Sequence, residues 1–192
     1  MFGENYDYLE KKDLGSNAVY IDLKDLNGRD EFIEELEKIE DRSEKALVID
    51  IRNSRSGLSQ PVYRMLDYMI PKSVEYFFIN GDLERVPFYP DNDCSNFKKT
   101  IILVSEYTED TGELFALALK KHLSNTVIIG RPTRGKYYTL GIYTDYERKF
   151  SIFLIDKYWD LTQYGITDGC VIPDIIVEDD SQYMKEVEKL IS

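Results

Sequence analysis

Three short apolar runs, at 46–51 (ALVIDI), 100–104 (TIILV) and 126–129 (TVII), constrain this chain more than any other feature. Each is too short for a helix, dense in β-branched residues, and apolar at consecutive rather than alternate positions. That pattern belongs to strands buried on both faces, and hence to a parallel sheet covered by helices. The intervening segments supply the cover. Residues 29–42 place Phe32, Leu36 and Ile39 at helical spacing, and further helices are expected over 60–69, ending before Pro71, and over 113–122. Strands at 17–23 and 74–79, a last strand around 171–177 and an amphipathic helix at 181–191 complete the order. From 136 to 156 the period becomes two on either side of 145–149, which reads as a β-hairpin. The polar stretch 80–99, with Pro87, Pro90 and Asn92, reads as a mobile surface loop. The expected fold is α/β, a mostly parallel sheet with packed helices plus an antiparallel hairpin.

Composition narrows the function. The 192 residues fit one domain, and 24 Lys+Arg against 36 Asp+Glu leave a net charge of −12. Nucleic acid and anionic membrane surfaces, which reward clustered Lys and Arg, are disfavoured as partners. No segment approaches the roughly 18–20 apolar residues of a membrane span. The start, MFGENYD, lacks the basic and apolar regions of a secretory signal. Expected localisation is cytoplasmic if Met1 is the native start, and exported if a leader precedes it. One histidine, His122, and two cysteines, Cys94 and Cys170, leave little material for a zinc site or a disulfide framework, and no cofactor is expected. A Ser-His-Asp hydrolase is excluded unless His122 is the base, and His122 reads as a helix C-terminal residue interacting with the dipole.

In sheets of this kind function sits in loops at the carboxyl ends of strands, which singles out 52–58, 105–113 and 131–136. The first, Arg52-Asn53-Ser54-Arg55-Ser56-Gly57-Leu58, is a small-residue turn that can present N–H groups to an oxyanion, or a plain turn in which Asp50 pairs with Arg52. In the second, Asp110 and Glu113 have the spacing of a capping box. Divalent-metal binding by Glu106, Glu109, Asp110 and Glu113 is not needed to explain it, and no EF-hand spacing is present. The third, Gly130-Arg131-Pro132-Thr133-Arg134-Gly135-Lys136, fails as a phosphate loop because Tyr137 follows the lysine. Lys136 either begins the hairpin in solvent or is desolvated and acts as a general base.

Taken in order, these segments resemble the catalytic domain of the S41 peptidases, the tail-specific or C-terminal-processing proteases. The family pattern is D-L-R-x-N-x-G-G-L, then T-A-S-A-S-E opening a helix, then G-x-x-T-x-G-K, then G-I-x-P-D-I-x-V. This chain has Asp50-Ile51-Arg52-Asn53-Ser54-Arg55-Ser56-Gly57-Leu58, Thr108-Glu109-Asp110-Thr111-Gly112-Glu113, Gly130–Lys136 as above, and Cys170-Val171-Ile172-Pro173-Asp174-Ile175-Ile176-Val177. The resemblance implies a ClpP/crotonase-like core over about 17–177, in a single domain with no PDZ domain within 1–192. It also implies endoproteolysis by a serine that a lysine base activates, with a glutamine orienting the lysine. Residue by residue the lysine is Lys136, the serine position is Asp110, and the glutamine position is Leu140. In the oxyanion turn Ser56 replaces the first paired glycine and Gly57 is kept; Thr111 joins these as an oxyanion or peptide-contact candidate.

The departures set the functional expectation. An aspartate cannot stand in for the serine in acyl-enzyme chemistry, and a carboxylate beside Lys136 opposes the neutral amine that a base requires. Leu140 and Ser56 weaken base orientation and oxyanion stabilisation as well. The expectation is an inactive or strongly impaired peptidase that binds a peptide or unstructured protein segment, with strand addition beside the hairpin as the expected mode. One alternative, allowing a single insertion, is an active peptidase using Thr111 or Thr108 with Lys136. Another is a non-catalytic homo-oligomeric assembly or regulatory protein.

Overall fold

In strand β3 (Ala46–Asp50) all five residues are buried, as consecutive apolar patterning requires of a central strand. Its neighbours are β2 (Ala18–Leu23) and β6 (Lys99–Val104), with β7 (Thr126–Gly130) beyond, all parallel. The computed structural model describes residues 8–54, 59–71, 76–80, 85–88, 96–136, 138–158 and 169–192. The six-stranded sheet runs β1-β2-β3-β6-β7-β10, with β1 (Leu9–Leu14) antiparallel at one edge and β10 (Ile175–Ile176) parallel at the other. The mostly parallel α/β expectation therefore holds.

Alternation along each central strand divides the core. Leu47, Ile49, Ile102, Val104 and Ile128 pack on one side against helices α1 (Arg29–Glu37), α2 (Ser59–Met69) and α3 (Thr111–His122). Val48, Ile101, Leu103 and Ile129 face the other side, where Tyr183 and Val187 of α4 (Tyr183–Ile191) cover them. The first helix ends earlier than the spacing of Ile39 suggested. Asp41 turns the chain into the left-handed region (φ 53°), and the Arg42 guanidinium donates to the terminal carbonyls of Leu36 (2.7 Å) and Ile39 (3.2 Å). The last strand is also shorter than its 171–177 pattern. There the Asp174 carboxylate accepts the Ile128 N–H at 2.8 Å, and Val171 N–H donates to the Thr133 hydroxyl at 2.8 Å, so side chains do work that a ladder would have done.

A second, antiparallel sheet has the order β5-β4-β9-β8, built from β4 (Tyr76–Asn80), β5 (Arg85–Phe88), β8 (Tyr138–Asp145) and β9 (Phe150–Tyr158). The β8–β9 hairpin is the one expected from the period of two. Strand β5 corrects the reading of 80–99 as loop: Arg85–Phe88 pairs antiparallel with β4. Pro87 misled because it cannot donate to a ladder, but β5 is an edge strand, where that donor is not needed. Of the same stretch, residues 81–84 and 89–95, including Cys94, lie outside the described residues.

Candidate active site

The loop from β6 to α3 is stitched to the turn after β3 before any functional group is placed. Ser105 Oγ donates to the Arg52 carbonyl (2.5 Å), Thr108 Oγ1 donates to the Ile51 carbonyl (2.9 Å), and the Glu109 N–H donates to the Ser54 carbonyl (3.2 Å). These bonds bring the carboxyl ends of β3 and β6 together and fix where α3 begins. Gly112 fits because a Cβ there would stand 3.1 Å from Thr108 Cγ2 and 3.5 Å from the Ser54 backbone oxygen.

At the first turn of α3 the chain makes a sharp elbow. Asp110 has φ 55° and ψ −120°, a backbone state that costs a non-glycine residue about 1–3 kcal/mol and persists only where its surroundings impose it. Here the surroundings are explicit. The Asp110 N–H donates to the Lys136 carbonyl (2.8 Å) and to Glu113 Oε2 (3.2 Å), and the Arg134 N–H donates to the Thr108 carbonyl (3.0 Å). Glu113, only 1% exposed, is the hub. Its carboxylate also accepts the Gly135 N–H (2.7 Å), the Lys136 N–H (2.8 Å) and the Thr133 hydroxyl. Burial pushes the Glu113 carboxyl above its ordinary pKa, and the four donors oppose that shift only in part. The capping box read from the Asp110–Glu113 spacing is present. What the spacing could not reveal is that Glu113 also clamps the Lys136 loop to the elbow, since that needs two segments 22 and 23 residues apart to meet. Thr133 in the G-x-x-T-x-G-K segment was the available signal.

Lys136 thereby lies over the elbow. Its Nζ is 3.5 Å from Asp110 Oδ2 and 3.9 Å from Glu109 Oε1, with the Tyr138 ring centroid at 5.8 Å. Arg134 also reaches Glu109, at 3.2 Å. Gly135 supplies the bend (φ 79°), and a Cβ there would meet the Gly169 carbonyl carbon at 3.3 Å. The two threonine hydroxyls differ in their partners. Thr108 Oγ1 is committed to the Ile51 carbonyl and accepts the Ser105 N–H at 3.0 Å. Thr111 is 0% exposed in the first turn of α3, and its Oγ1 has no hydrogen-bond partner among the described residues. Leu140 lies in β8 opposite Ile155, at a register shift of the hairpin. Ser56 and Gly57, the oxyanion-turn candidates, lie outside the described residues.

The acidic residues of this loop all face cations or N–H groups. Glu106 pairs with Arg131 (2.6 Å), Glu109 with Arg134, Asp110 with Lys136, and Glu113 with the donors above. Among the described residues no group of three or more His, Cys, Asp and Glu side chains is arranged to hold a metal ion. Behind the elbow, Arg52 grips Asp50 through Nε and one terminal nitrogen (2.6–2.9 Å), and its guanidinium carbon lies 4.5 Å from the Tyr183 ring centroid. Tyr20 donates to the same carboxylate at 2.5 Å; burial and the Asp50 charge push its hydroxyl pKa well up. The plain Asp50–Arg52 pairing weighed for this turn is thus present. Beside it, a cavity of about 160 Å³ is lined by Arg52, Asn53, Ser105, Tyr107, Arg131 and Asp180.

This mostly parallel sheet, with three helices on one face and one on the other, is a fold shared with solved S41 proteases. Solved structures agree. The photosystem II D1 C-terminal processing protease superposes with TM-score 0.65 at 18% identity, over 91% of this chain and 46% of its own. A lipoprotein from Streptococcus agalactiae gives 0.68 at 16% identity, over 96% and 70%. Residues 17–177 match the sequence model of Peptidase family S41, and the chain belongs to that family. It is 22% identical over 166 residues to a carboxyl-terminal-processing protease of Synechocystis sp., which is 85% of this chain and 39% of that protein. It is 26% identical over 132 residues to the carboxy-terminal processing protease CtpA of Bacillus subtilis, 67% of this chain and 28% of that protein. The chain thus spans well under half the length of these two curated relatives.

Proposed function

We propose that this S41 domain binds extended peptide and has lost, or nearly lost, the ability to cleave it. The observation that carries this reading is the contact of Lys136 Nζ with Asp110 Oδ2 at 3.5 Å, at the strained elbow where the family resemblance calls for a serine. Serine–lysine chemistry needs a hydroxyl that gives up its proton to a neutral amine. A carboxylate has no such proton to give. Its attack on an amide would yield a mixed anhydride, higher in energy than the amide it replaced. Glu109 Oε1 lies 3.9 Å from the same Nζ, so the lysine contacts two carboxylates and, among the described residues, no hydroxyl nucleophile. What supports peptide binding is β8, which begins two residues after Lys136 and is, among the described residues, an edge strand whose backbone N–H and C=O groups can pair with an added strand.

The rival reading, a peptidase using Thr111, draws on the unpartnered Oγ1 of that residue. Its complete burial and the position of the Lys136 ammonium speak against it. Incubation of the chain with an unstructured fluorescent polypeptide, alongside peptide-binding anisotropy, tests the two together. Saturable binding without cleavage is expected. Fluorophosphonate labelling at Thr111, or cleavage lost in Lys136→Ala, would overturn the proposal in favour of the rival.

A further inference from the structure

The β8–β9 arm is the part of the molecule whose chemistry the active-site reading leaves unused. Register pairs Ile142 with Phe153, Tyr143 with Ile152 and Gly141 with Leu154, so apolar side chains project from both faces of the two-stranded ribbon. They are open to solvent: Ile142 is 65% exposed and Phe153 60%, and Tyr143, Ile152 and Leu154 are also exposed. Exposed apolar area this contiguous marks an interaction surface.

We infer that the arm is a self-association element, and that its occupant is the same arm of a second copy of this chain. Three observations select that occupant. First, charge: residues 138–158 contain three acidic side chains (Asp145, Glu147, Asp156) and three basic ones (Arg148, Lys149, Lys157). The arm therefore contributes nothing to a chain whose net charge is −12, and it offers two copies a place to meet with little mutual repulsion. Second, apolar surface on both faces: a single peptide strand added at the β8 edge would cover neither, whereas a second arm brings apolar surface of its own. Third, area: with about half of each large side chain exposed, the arm presents on the order of 700 Å² over its two faces together, so approaching the ~800 Å² per partner of a standard interface requires the two arms to clasp and engage both faces. A contact between identical patches closes as a twofold dimer rather than growing into a filament. Because β8 starts beside Lys136, the two candidate sites of such a dimer would flank the shared arms.

Sedimentation velocity on the chain, from roughly micromolar to about 100 µM, tests the inference through mass action. A concentration-dependent dimer is expected. It should tighten as salt is raised, since salt screens the repulsion between two acidic bodies and leaves an apolar contact intact. Two variants probe the two faces separately: Ile142→Lys with Phe153→Lys, and Tyr143→Lys with Leu154→Lys. At least one should weaken dimerisation about tenfold or more while the melting temperature stays within a few degrees of the parent, because these side chains are already in water. A strict monomer at the highest concentration would overturn the inference, as would a dimer unaffected by either variant. So would a monomer whose arm amides gain hydrogen-exchange protection only when an unstructured polypeptide is added, which would assign the arm to peptide instead.

Discussion

The elbow at Asp110 and the β8–β9 arm are joined through the Lys136 loop, yet they are stabilised in opposite ways. Around the elbow one buried carboxylate, that of Glu113, accepts from four donors contributed by two segments of chain, the elbow itself and residues 133–136. Along the arm many side chains are large, apolar and in water, and the strands are held together mainly by the hairpin ladder, with one exposed Thr144–Ser151 hydroxyl bond across it. The first region keeps its geometry because any change orphans buried donors. The second is free to change because little depends on it within one copy. On the reading proposed above, a nucleophile could be lost from the elbow without the scaffold collapsing. The scaffold is held by Glu113, Thr108 and Ser105, and none of these is the residue at the serine position.

Substitutions should separate the two regions. The largest effect is expected in the layer beneath the elbow: Phe115→Ala, at a fully buried α3 position packed edge-on to Phe32, should cost about 3–5 kcal/mol in urea unfolding. Next, Glu113→Ala leaves the Thr133, Gly135 and Lys136 donors without their acceptor, while the Asp110 N–H keeps the Lys136 carbonyl, and should cost about 2–4 kcal/mol. Glu113→Gln, which keeps one acceptor oxygen, should cost less. At the exposed arm, Phe153→Ser should stay within about 0.5 kcal/mol under conditions where the chain is monomeric. A loss near that of Phe115→Ala would break the comparison.

The smallest effect is in pH dependence. The folded-state pKa of Glu113 lies above its ordinary 4.5, so between 4.5 and the raised value the folded chain holds more protons than the unfolded one. Stability contributed by this group is therefore present below that window and declines as pH rises through it. Glu113→Gln should flatten the decline in urea midpoint measured from acid to neutral pH, relative to the parent. An unchanged slope would mean that burial is not governing this carboxyl.

The sequence made the central strands legible because ALVIDI, TIILV and TVII each carry their own burial signal, and the hairpin because its period is two over a long stretch. Strand β1 (LEKKDL) escaped notice. It is an edge strand with charged side chains, a pattern that discourages association and hides the strand equally well. Strand β5 was concealed by Pro87. At the site, Asp110 and Lys136 could be paired only through family resemblance, since 26 residues separate them. The clamp by Glu113 and the second anion, Glu109, on Lys136 needed the tertiary arrangement. The same holds for the Arg52–Tyr183 stacking, because α4 is far away in the chain.

Placing a serine hydroxyl at position 110 probes the central claim most directly. Cleavage of an unstructured fluorescent polypeptide should be measured for the parent, for Asp110→Ser, and for Asp110→Ser combined with Lys136→Ala. The account predicts no turnover by the parent, turnover gained on Asp110→Ser, and its loss again when Lys136 is removed. Robust cleavage by the parent that Lys136→Ala abolishes would contradict it.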